Sequence, residues 1–247
     1  MKLDAALYRN SGTFFALFLL FALLAFWPSY FTRLAAQPDA RFHMHGIVMT
    51  GWLALLVAQG VLIRANFRTL HKVLGLTSYL VAAALVITTV TFVHYRIGPV
   101  PPGVTRLPPG VLYFLALTVN SLVAFALLYG LAIYHRHEPL VHARYMVCTV
   151  FPLFTPVTDR LIGAHLPALV QLVPRMDGAP ILPVVGFVLA DVLLIGLTVW
   201  DWAANKRLDV FPVALAIVAA YHVSVLTFHV LPFWQDFGLW FLRLPLS

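Results

Sequence analysis

The sequence has little charge, one cysteine and none of the common catalytic motifs. Only 10% of its 247 residues are Asp, Glu, Lys or Arg, against about 25% in an ordinary soluble domain. Cys148 has no second cysteine to pair with, so an internal disulfide and a Cys-x-x-Cys redox site are excluded. No Walker A, Gly-x-Ser-x-Gly or His-Glu-x-x-His motif occurs, which leaves NTPase and hydrolase mechanisms without support.

Apolar residues fill the sequence instead. They make up 62% of the chain, and the mean hydropathy is +0.91. Because about 20 apolar residues cross the hydrocarbon core of a bilayer, this composition predicts an integral membrane protein surrounded by lipid. The 16 Lys and Arg residues exceed the 9 Asp and Glu residues, but they lie in short loops between apolar runs. There they indicate topology and not a nucleic-acid partner.

Seven apolar runs are separated by polar or proline-rich breaks, and each is long enough to span a membrane. They predict an all-α bundle of seven transmembrane helices in a single membrane domain, 1–247. Asp4 and the poor cleavage site "RLAAQ" predict that the first run is retained and is not a signal peptide. The predicted spans are 12–31, 44–63, 73–95, 110–134, 143–163, 181–203 and 211–232.

The distribution of basic residues predicts the orientation of the bundle. Nine of the 16 Lys and Arg residues fall on the side of the N-terminus. The positive-inside rule therefore places the N-terminus in the cytoplasm and the C-terminus outside. The last residues, "LPFWQDFGLWFLRLPLS", are rich in aromatic side chains, which predicts a C-terminal interfacial amphipathic segment.

Nine of the ten histidines fall in two layers of this topology, and His222 lies near mid-membrane. Neutral imidazole is the commonest protein ligand for transition metals and haem iron. We therefore expect haem b, or a copper, iron or zinc ion, at the outer layer, and a second candidate site at the inner one. Interfacial anchoring remains the alternative for each histidine. The outer candidates, with the mid-membrane His222, are His43, His45, His94, His222 and His229; the inner candidates are His71, His135, His137 and His142.

The paired histidines in "RFHMHGIVMTGW" depend on where their helix begins. Residues i and i+2 of a helix point about 200° apart. A helix that starts near residue 45 would allow His43 and His45 to face inward together, whereas an earlier start leaves only one of them in the bundle interior. His45 is the preferred ligand, because Gly46 beside it lets a bulky group approach the backbone.

Charged side chains also occur within predicted spans, where they are expensive and usually functional. Pro152 and Pro156 predict a broken or kinked fifth helix, close to the charged pair of Asp159 and Arg160. These two either neutralise each other or let Arg160 hold an anionic group such as a haem propionate or a quinone oxygen. Asp191 is protonated, paired with a histidine such as His222, or exposed to a wet cavity.

Two stretches carry a resemblance to known membrane proteins. "HMHGIVMTGWLALLVAQGVLIRANFRTLHKVLG" (43–75) and "HARYMVCTVFPLFTPVTDR" (142–160) resemble a group of bacterial polytopic membrane proteins of uncharacterised function, which implies a bacterial inner membrane. The first stretch also resembles the histidine run of the cytochrome b561 superfamily, although its proline is absent here. That likeness implies haem b and transmembrane electron transfer; it is carried by His45, Gly46, Met49, Trp52, Gly60, Arg64 and His71.

Three functions fit these observations. The first is a histidine-ligated membrane redox protein, with a quinone or a redox protein as partner. The second is a transporter of protons or small solutes, or a sensor, whose histidines respond to pH. The third is an accessory subunit whose polar groups hold helices together. Whether the chain is an enzyme stays open.

Overall fold

The computed structural model describes residues 3–36, 39–176 and 178–246, so Lys2 and both ends of the predicted domain 1–247 lie outside the described residues. The described chain is almost entirely helical, with a small hairpin that pairs Arg175–Met176 with Ala179–Pro180. The helices are α1 (Leu3–Phe26), α2 (Ala40–Arg64), α3 (Arg68–Ile97), α4 (Pro109–Tyr134), α5 (Pro139–Cys148), α6 (Phe154–His165), α7 (Pro167–Val170), α8 (Pro183–Asn205), α9 (Phe211–Thr227) and α10 (Pro232–Leu242).

Within the described residues, six segments are long and apolar enough to cross a membrane. They are α2, α3, α4, the α5 and α6 pair, α8, and α9 with the 3₁₀ turn that follows it. The all-α membrane fold is therefore confirmed in its main feature. The first predicted span, 12–31, falls on α1, whose apolar part Asn10–Phe26 is shorter than these six, so the count of seven remains a prediction. The 3₁₀ turn Phe31–Ala36 follows α1 and leads towards α2.

Helix starts follow from capping residues and prolines. The side chain of Asp39 accepts a hydrogen bond of 2.7 Å from the backbone N–H of Arg41 and so caps α2. Pro109, Pro139 and Pro183 each stand in the first turn of a helix, where a missing N–H costs nothing.

The fifth span, Pro139–His165, is broken near its middle. Helix α5 ends at Cys148, which is fully buried, and the 3₁₀ turn Phe151–Leu153 connects it to α6. Pro152 lies in that turn and cannot donate a helical hydrogen bond. The predicted break is therefore confirmed, and Pro156 is accommodated in the first turn of α6.

Successive spans run antiparallel, which defines two ends of the bundle. At the proximal end, where α1 begins, Gly12 meets Gly60 near the end of α2; a Cβ on Gly60 would lie 2.5 Å from the Gly12 nitrogen. Backbones this close are typical of small-residue packing between membrane helices. At the opposite, distal end, Tyr30 follows α1 and contacts Gly46 of α2.

Helix α4 packs between α2 and α9. Its buried Phe125 packs against Trp52 of α2 with ring centroids 5.0 Å apart. On its other side the Asn120 amide donates a 2.8 Å hydrogen bond to Ser224 of α9. Polar contacts of this kind tie membrane helices together where apolar packing alone is weakly specific.

The C-terminal segment is a separate helix packed on the distal end. In α10, the Trp234 indole donates a 3.0 Å hydrogen bond to the Leu112 carbonyl of α4. Phe241 packs edge-on against His94 of α3, while Phe233 and Trp240 are exposed. The helix therefore has a buried face and an exposed aromatic face, as an interfacial segment requires; its place at a membrane interface remains a prediction.

Candidate functional site

His43 and His45 contact different parts of the chain. Helix α2 begins at Ala40, so both residues are helical and their side chains point in different directions. The His43 Nδ1 is hydrogen-bonded to the Tyr30 hydroxyl at 3.1 Å, on the α1 side. The His45 ring stacks on Phe92 of α3, with centroids 4.8 Å apart. The earlier of the two predicted helix starts is therefore the observed one.

Two other distal histidines have ring nitrogens without hydrogen-bond partners. His94 is fully buried, and neither of its nitrogens has a partner. The Nδ1 of His229, in the 3₁₀ turn after α9, is also buried and unpartnered. A buried polar atom without a partner is costly, so both positions stand out from the apolar packing around them.

The described part of the chain contains no group of three or more His, Cys, Asp and Glu side chains placed to hold a metal ion. A copper, iron or zinc site made from protein side chains alone needs three or four such ligands. The predicted site at His43, His45, His94, His222 and His229 therefore has no support from this geometry and stays a prediction. Axial ligation of a haem requires only two imidazoles and remains a prediction.

Asp191 and His222 form a hydrogen-bonded pair between two spans. The His222 Nδ1 lies 3.0 and 3.1 Å from the two carboxylate oxygens of Asp191. Asp191 lies on helix α8, and Phe187 lies one turn earlier on the same helix. The His222 ring stacks on Phe187 with ring centroids 4.2 Å apart. Of the three environments predicted for Asp191, pairing with His222 is the one observed. The Nε2 of His222 is buried and unpartnered.

The side chains of Asp159 and Arg160 have different neighbours. The Arg160 guanidinium donates a 2.9 Å hydrogen bond to the Pro156 carbonyl and lies 4.3 Å from the centre of the Phe26 ring. The Oδ1 of Asp159 is buried and has no hydrogen-bond partner. The predicted mutual salt bridge is therefore not formed, because the two side chains leave α6 in different directions.

A cluster of hydroxyl groups surrounds the Asp159 carboxylate. Tyr113 of α4 and Tyr221 of α9 both interact electrostatically with Asp159 and with each other. Thr155, one turn before Asp159 on α6, interacts with the Tyr221 hydroxyl. The hydroxyl oxygens of all three residues are buried without a partner at hydrogen-bond geometry. We call Tyr113, Thr155, Asp159 and Tyr221 the oxygen cluster.

The break in the fifth span and one glycine position the oxygen cluster. The break starts α6 just before Thr155, so that Thr155 and Asp159 share a face one turn apart. A Cβ on Gly186 of α8 would collide with the Thr158 hydroxyl and lie 3.2 Å from Thr155 Cα. Helix α8 therefore approaches α6 closely only because residue 186 is a glycine, which brings Phe187 edge-on to Tyr221 at 5.6 Å.

The inner histidines lie at the proximal end, where two of them approach each other. His71 and His142, in the first turns of α3 and α5, interact electrostatically. His142 Nδ1 donates a 2.8 Å hydrogen bond to the Ala132 carbonyl, and His71 Nδ1 is buried and unpartnered. His135 bonds to Glu138 at 2.8 Å, and His137 is exposed.

The sequence reading missed a buried ion pair at this end. Arg144 of α5 donates a 2.9 Å hydrogen bond to Asp201 of α8, and the two residues are 1% and 2% exposed. Asn205 donates a second hydrogen bond of 2.8 Å to the same carboxylate oxygen. In the sequence Arg144 served only as a topology marker, since 57 residues separate it from its partner.

Asp209, in the loop between α8 and α9, forms an ion pair with Arg207. Partial burial acts to raise the pKa of Asp209, but the hydrogen bond and the charge of Arg207 hold it below its ordinary value. The proximal loops therefore carry paired charges close to the buried ion pair of Arg144.

The chain matches no protein-family model, no curated protein and no solved structure. The likenesses to bacterial polytopic proteins and to cytochrome b561 therefore remain expectations. Functional inference depends on the geometry of the residues described above.

Proposed function

We propose that this chain is a proton-binding membrane protein of the transporter or pH-sensor class, in which Asp191 and His222 hold the proton. The observation that carries this proposal is the pair itself, with its two oxygens 3.0 and 3.1 Å from the His222 Nδ1 inside two membrane-spanning helices. Intramembrane ionisable residues are costly to keep and mark proton and ion pathways.

The geometry assigns a place to each proton. One proton lies between the Asp191 carboxylate and Nδ1 of His222, whichever group formally carries it. Nε2 of His222, which has no partner, is the atom that accepts a second proton. Uptake there converts a neutral imidazole into an imidazolium paired with a carboxylate, and histidine is the side chain whose charge ordinarily changes between about pH 5 and 8.

Two further features support a transport role for this pair. The fifth span is broken beside it, and broken spans supply irregular backbone at the binding sites of many transporters. The His222 ring also lies 4.9 Å from Tyr221, which belongs to the oxygen cluster. A proton at Nε2 therefore adds charge next to a second set of buried polar groups.

Infrared spectroscopy tests proton binding directly. We expect a pH change imposed on the purified protein to give a carboxylate and imidazole difference signal that disappears in both Asp191→Asn and His222→Gln. His137→Gln, which alters an exposed histidine in a proximal turn, is the matched control and should keep the signal. An identical signal in wild type and His222→Gln would refute the assignment.

Reconstitution then separates transport from sensing. Liposomes that contain the protein and an internal pH dye should acidify faster than empty liposomes when a valinomycin potential drives protons inward. The His222→Gln variant should return to the empty-liposome rate. A normal infrared signal without any acidification would assign the pair to sensing or to solute-coupled transport.

Electron transfer through a b-type haem is a second candidate, and the approach of His71 to His142 favours it. The bond from His142 Nδ1 to the Ala132 carbonyl leaves Nε2 to face iron, because a histidine that binds a metal through one ring nitrogen commonly donates the other N–H to a carbonyl. These two residues fit axial ligation better than His135, which is bonded to Glu138. A haem bound there would supply one-electron chemistry, with a quinone or a redox protein as partner.

An absorption spectrum tests this second function. A Soret band that sharpens when dithionite is added should be present in the purified protein and absent from His71→Ala and His142→Ala, while His137→Ala retains it. A featureless spectrum at every redox state would remove the haem.

We also propose the finer topology: seven spans including α1, in a bacterial inner membrane, with a cytoplasmic N-terminus and an external C-terminus. The packing of α1 along α2 through Gly12 and Gly60 supports the seventh span. Alkaline phosphatase and fluorescent-protein fusions at Ser247 test it, since only an external C-terminus activates the phosphatase and silences the fluorescence.

A further inference from the structure

The oxygen cluster combines one carboxylate with three hydroxyl groups from three helices. Thr155 and Tyr221 are 1% and 4% exposed, and their hydroxyl oxygens have no hydrogen-bond partner beyond the contact of the two side chains with each other. Tyr113 and Asp159 also present buried, unpartnered oxygens. Natural proteins rarely leave several such atoms together, and unsatisfied groups that remain commonly mark a ligand, water or ion.

Among the described residues no cation forms an ion pair with Asp159; the charge of Arg160 acts on it only from a longer distance. Arg160 is bound to the Pro156 carbonyl and lies over Phe26. His222, the next residue after Tyr221, is paired with Asp191. The other groups that interact with Asp159 in the cluster are the uncharged phenols of Tyr113 and Tyr221. A buried carboxylate is expensive without a positive partner.

We propose that the oxygen cluster binds one monovalent cation of about the size of sodium. Hard cations prefer oxygen ligands, and a single carboxylate balances one positive charge but not two. A bound proton would satisfy one carboxyl oxygen and leave the other hydroxyls unpartnered. An organic ammonium ion needs a cavity, whereas Tyr221 and Thr155 are packed against Phe187 and the close approach of α8 at Gly186.

This inference depends on the four side chains of the oxygen cluster and holds whether or not His222 takes up a proton. If both sites function, the cation and the proton are bound by adjacent residues, Tyr221 and His222, whose rings are 4.9 Å apart. Positive charge at one site then disfavours positive charge at the other. Competition of this kind would couple release of the cation to uptake of the proton.

Thermal unfolding of the full-length protein in detergent tests the site. Sodium chloride replaces choline chloride at constant total salt, so that ionic strength does not change. We expect the wild-type Tm to rise with sodium until the site is saturated, because a ligand that binds only the folded state stabilises it. Asp159→Asn should abolish the rise, and Tyr221→Phe should weaken sodium affinity by roughly tenfold.

Asp191→Asn distinguishes this proposal from the proposed function. It removes the proton-binding pair but should keep the sodium-dependent rise in Tm. Equilibrium binding of radioactive sodium to the wild-type protein gives a second readout that needs no variant, with one saturable site expected per chain. Equal effects of sodium and choline, a rise that persists in Asp159→Asn, or the absence of saturable sodium binding would each overturn the cation site.

Discussion

At the proximal end the buried Arg144 guanidinium donates to Asp201 at 2.9 Å, whereas at the distal end the buried Oδ1 of Asp159 has no hydrogen-bond partner. Both carboxylates lie in apolar helical segments. Asp201 has two donors, Arg144 and Asn205, but Asp159 is surrounded by hydroxyl groups that are themselves unpartnered.

The difference indicates which end stabilises the bundle and which end binds a ligand. A closed ion pair is costly to break because the remaining charge stays buried, so the proximal pair holds α5 against α8. Unsatisfied buried groups lower stability and persist where function requires them. Loss of a charge from the closed proximal pair should therefore cost more stability than loss of an unsatisfied polar group at the distal end.

The largest effect is expected from Arg144→Met, which leaves Asp201 buried without its cation. We expect a loss of about 3–5 kcal/mol in the free energy of unfolding, measured by reversible denaturation in mixed micelles. Asp159→Asn at the distal end should cost far less in sodium-free buffer. The double variant Arg144→Met with Asp201→Leu should recover stability; a single variant as stable as wild type would contradict the comparison.

A smaller loss is expected from Gly60→Ala at the proximal contact of α1 and α2. The new Cβ would meet the Gly12 backbone at 2.5 and 2.6 Å, and overpacking of this kind costs about 1–3 kcal/mol. Gly51→Ala on the same helix is the control, because nothing lies within 4 Å of its Cβ. Equal unfolding free energies for the two variants would show that α1 does not dock through Gly60.

At the distal end, His94→Leu should stabilise the protein by about 1 kcal/mol, since it removes a buried imidazole with two unpartnered nitrogens. His222→Leu should do the opposite, because it leaves Asp191 without its partner. Thermal unfolding of both variants at pH 7 measures the contrast. A destabilised His94→Leu protein would mean that His94 has a partner, such as a haem iron, in the functional state.

The smallest effect concerns Asp209, whose pKa is lowered when the protein folds. A lowered folded-state pKa adds stability that is present above the ordinary value of 3.8 and is lost as pH falls through the folded value. Because Asp209 is 44% exposed, we expect about 0.5 kcal/mol or less. The Tm difference between wild type and Asp209→Asn should therefore shrink below about pH 4; a constant difference would exclude the linkage.

Local patterns in the sequence predicted most of the fold. Runs of apolar residues located the six long apolar helical segments within a few residues, and Pro152 located the break in the fifth predicted span. The 200° separation of His43 and His45 correctly implied that only one helix start could bring both inward. These features are determined by residues that are close in the sequence, so hydropathy and helical geometry are enough to predict them.

The candidate site was less predictable because it depends on contacts between distant segments. Pairing of Asp191 with His222 was one of the three environments predicted for Asp191, because both are ionisable residues in apolar runs. Tyr113 and Tyr221 carried no such signal, since tyrosines are common in apolar spans and their hydroxyl groups converge only after three helices pack. Asp201 was missed for the same reason: its partner Arg144 lies 57 residues away.

The buried thiol of Cys148 can report when helices α5 and α6 separate from their neighbours. This thiol is the sole cysteine, is fully buried, and ends α5 just before the break. Maleimides react with an accessible thiolate, so labelling of the native chain can occur only when α5 and α6 separate from their neighbours. The labelling rate with and without sodium, or at two pH values, therefore measures how often the broken span opens, with no engineered probe.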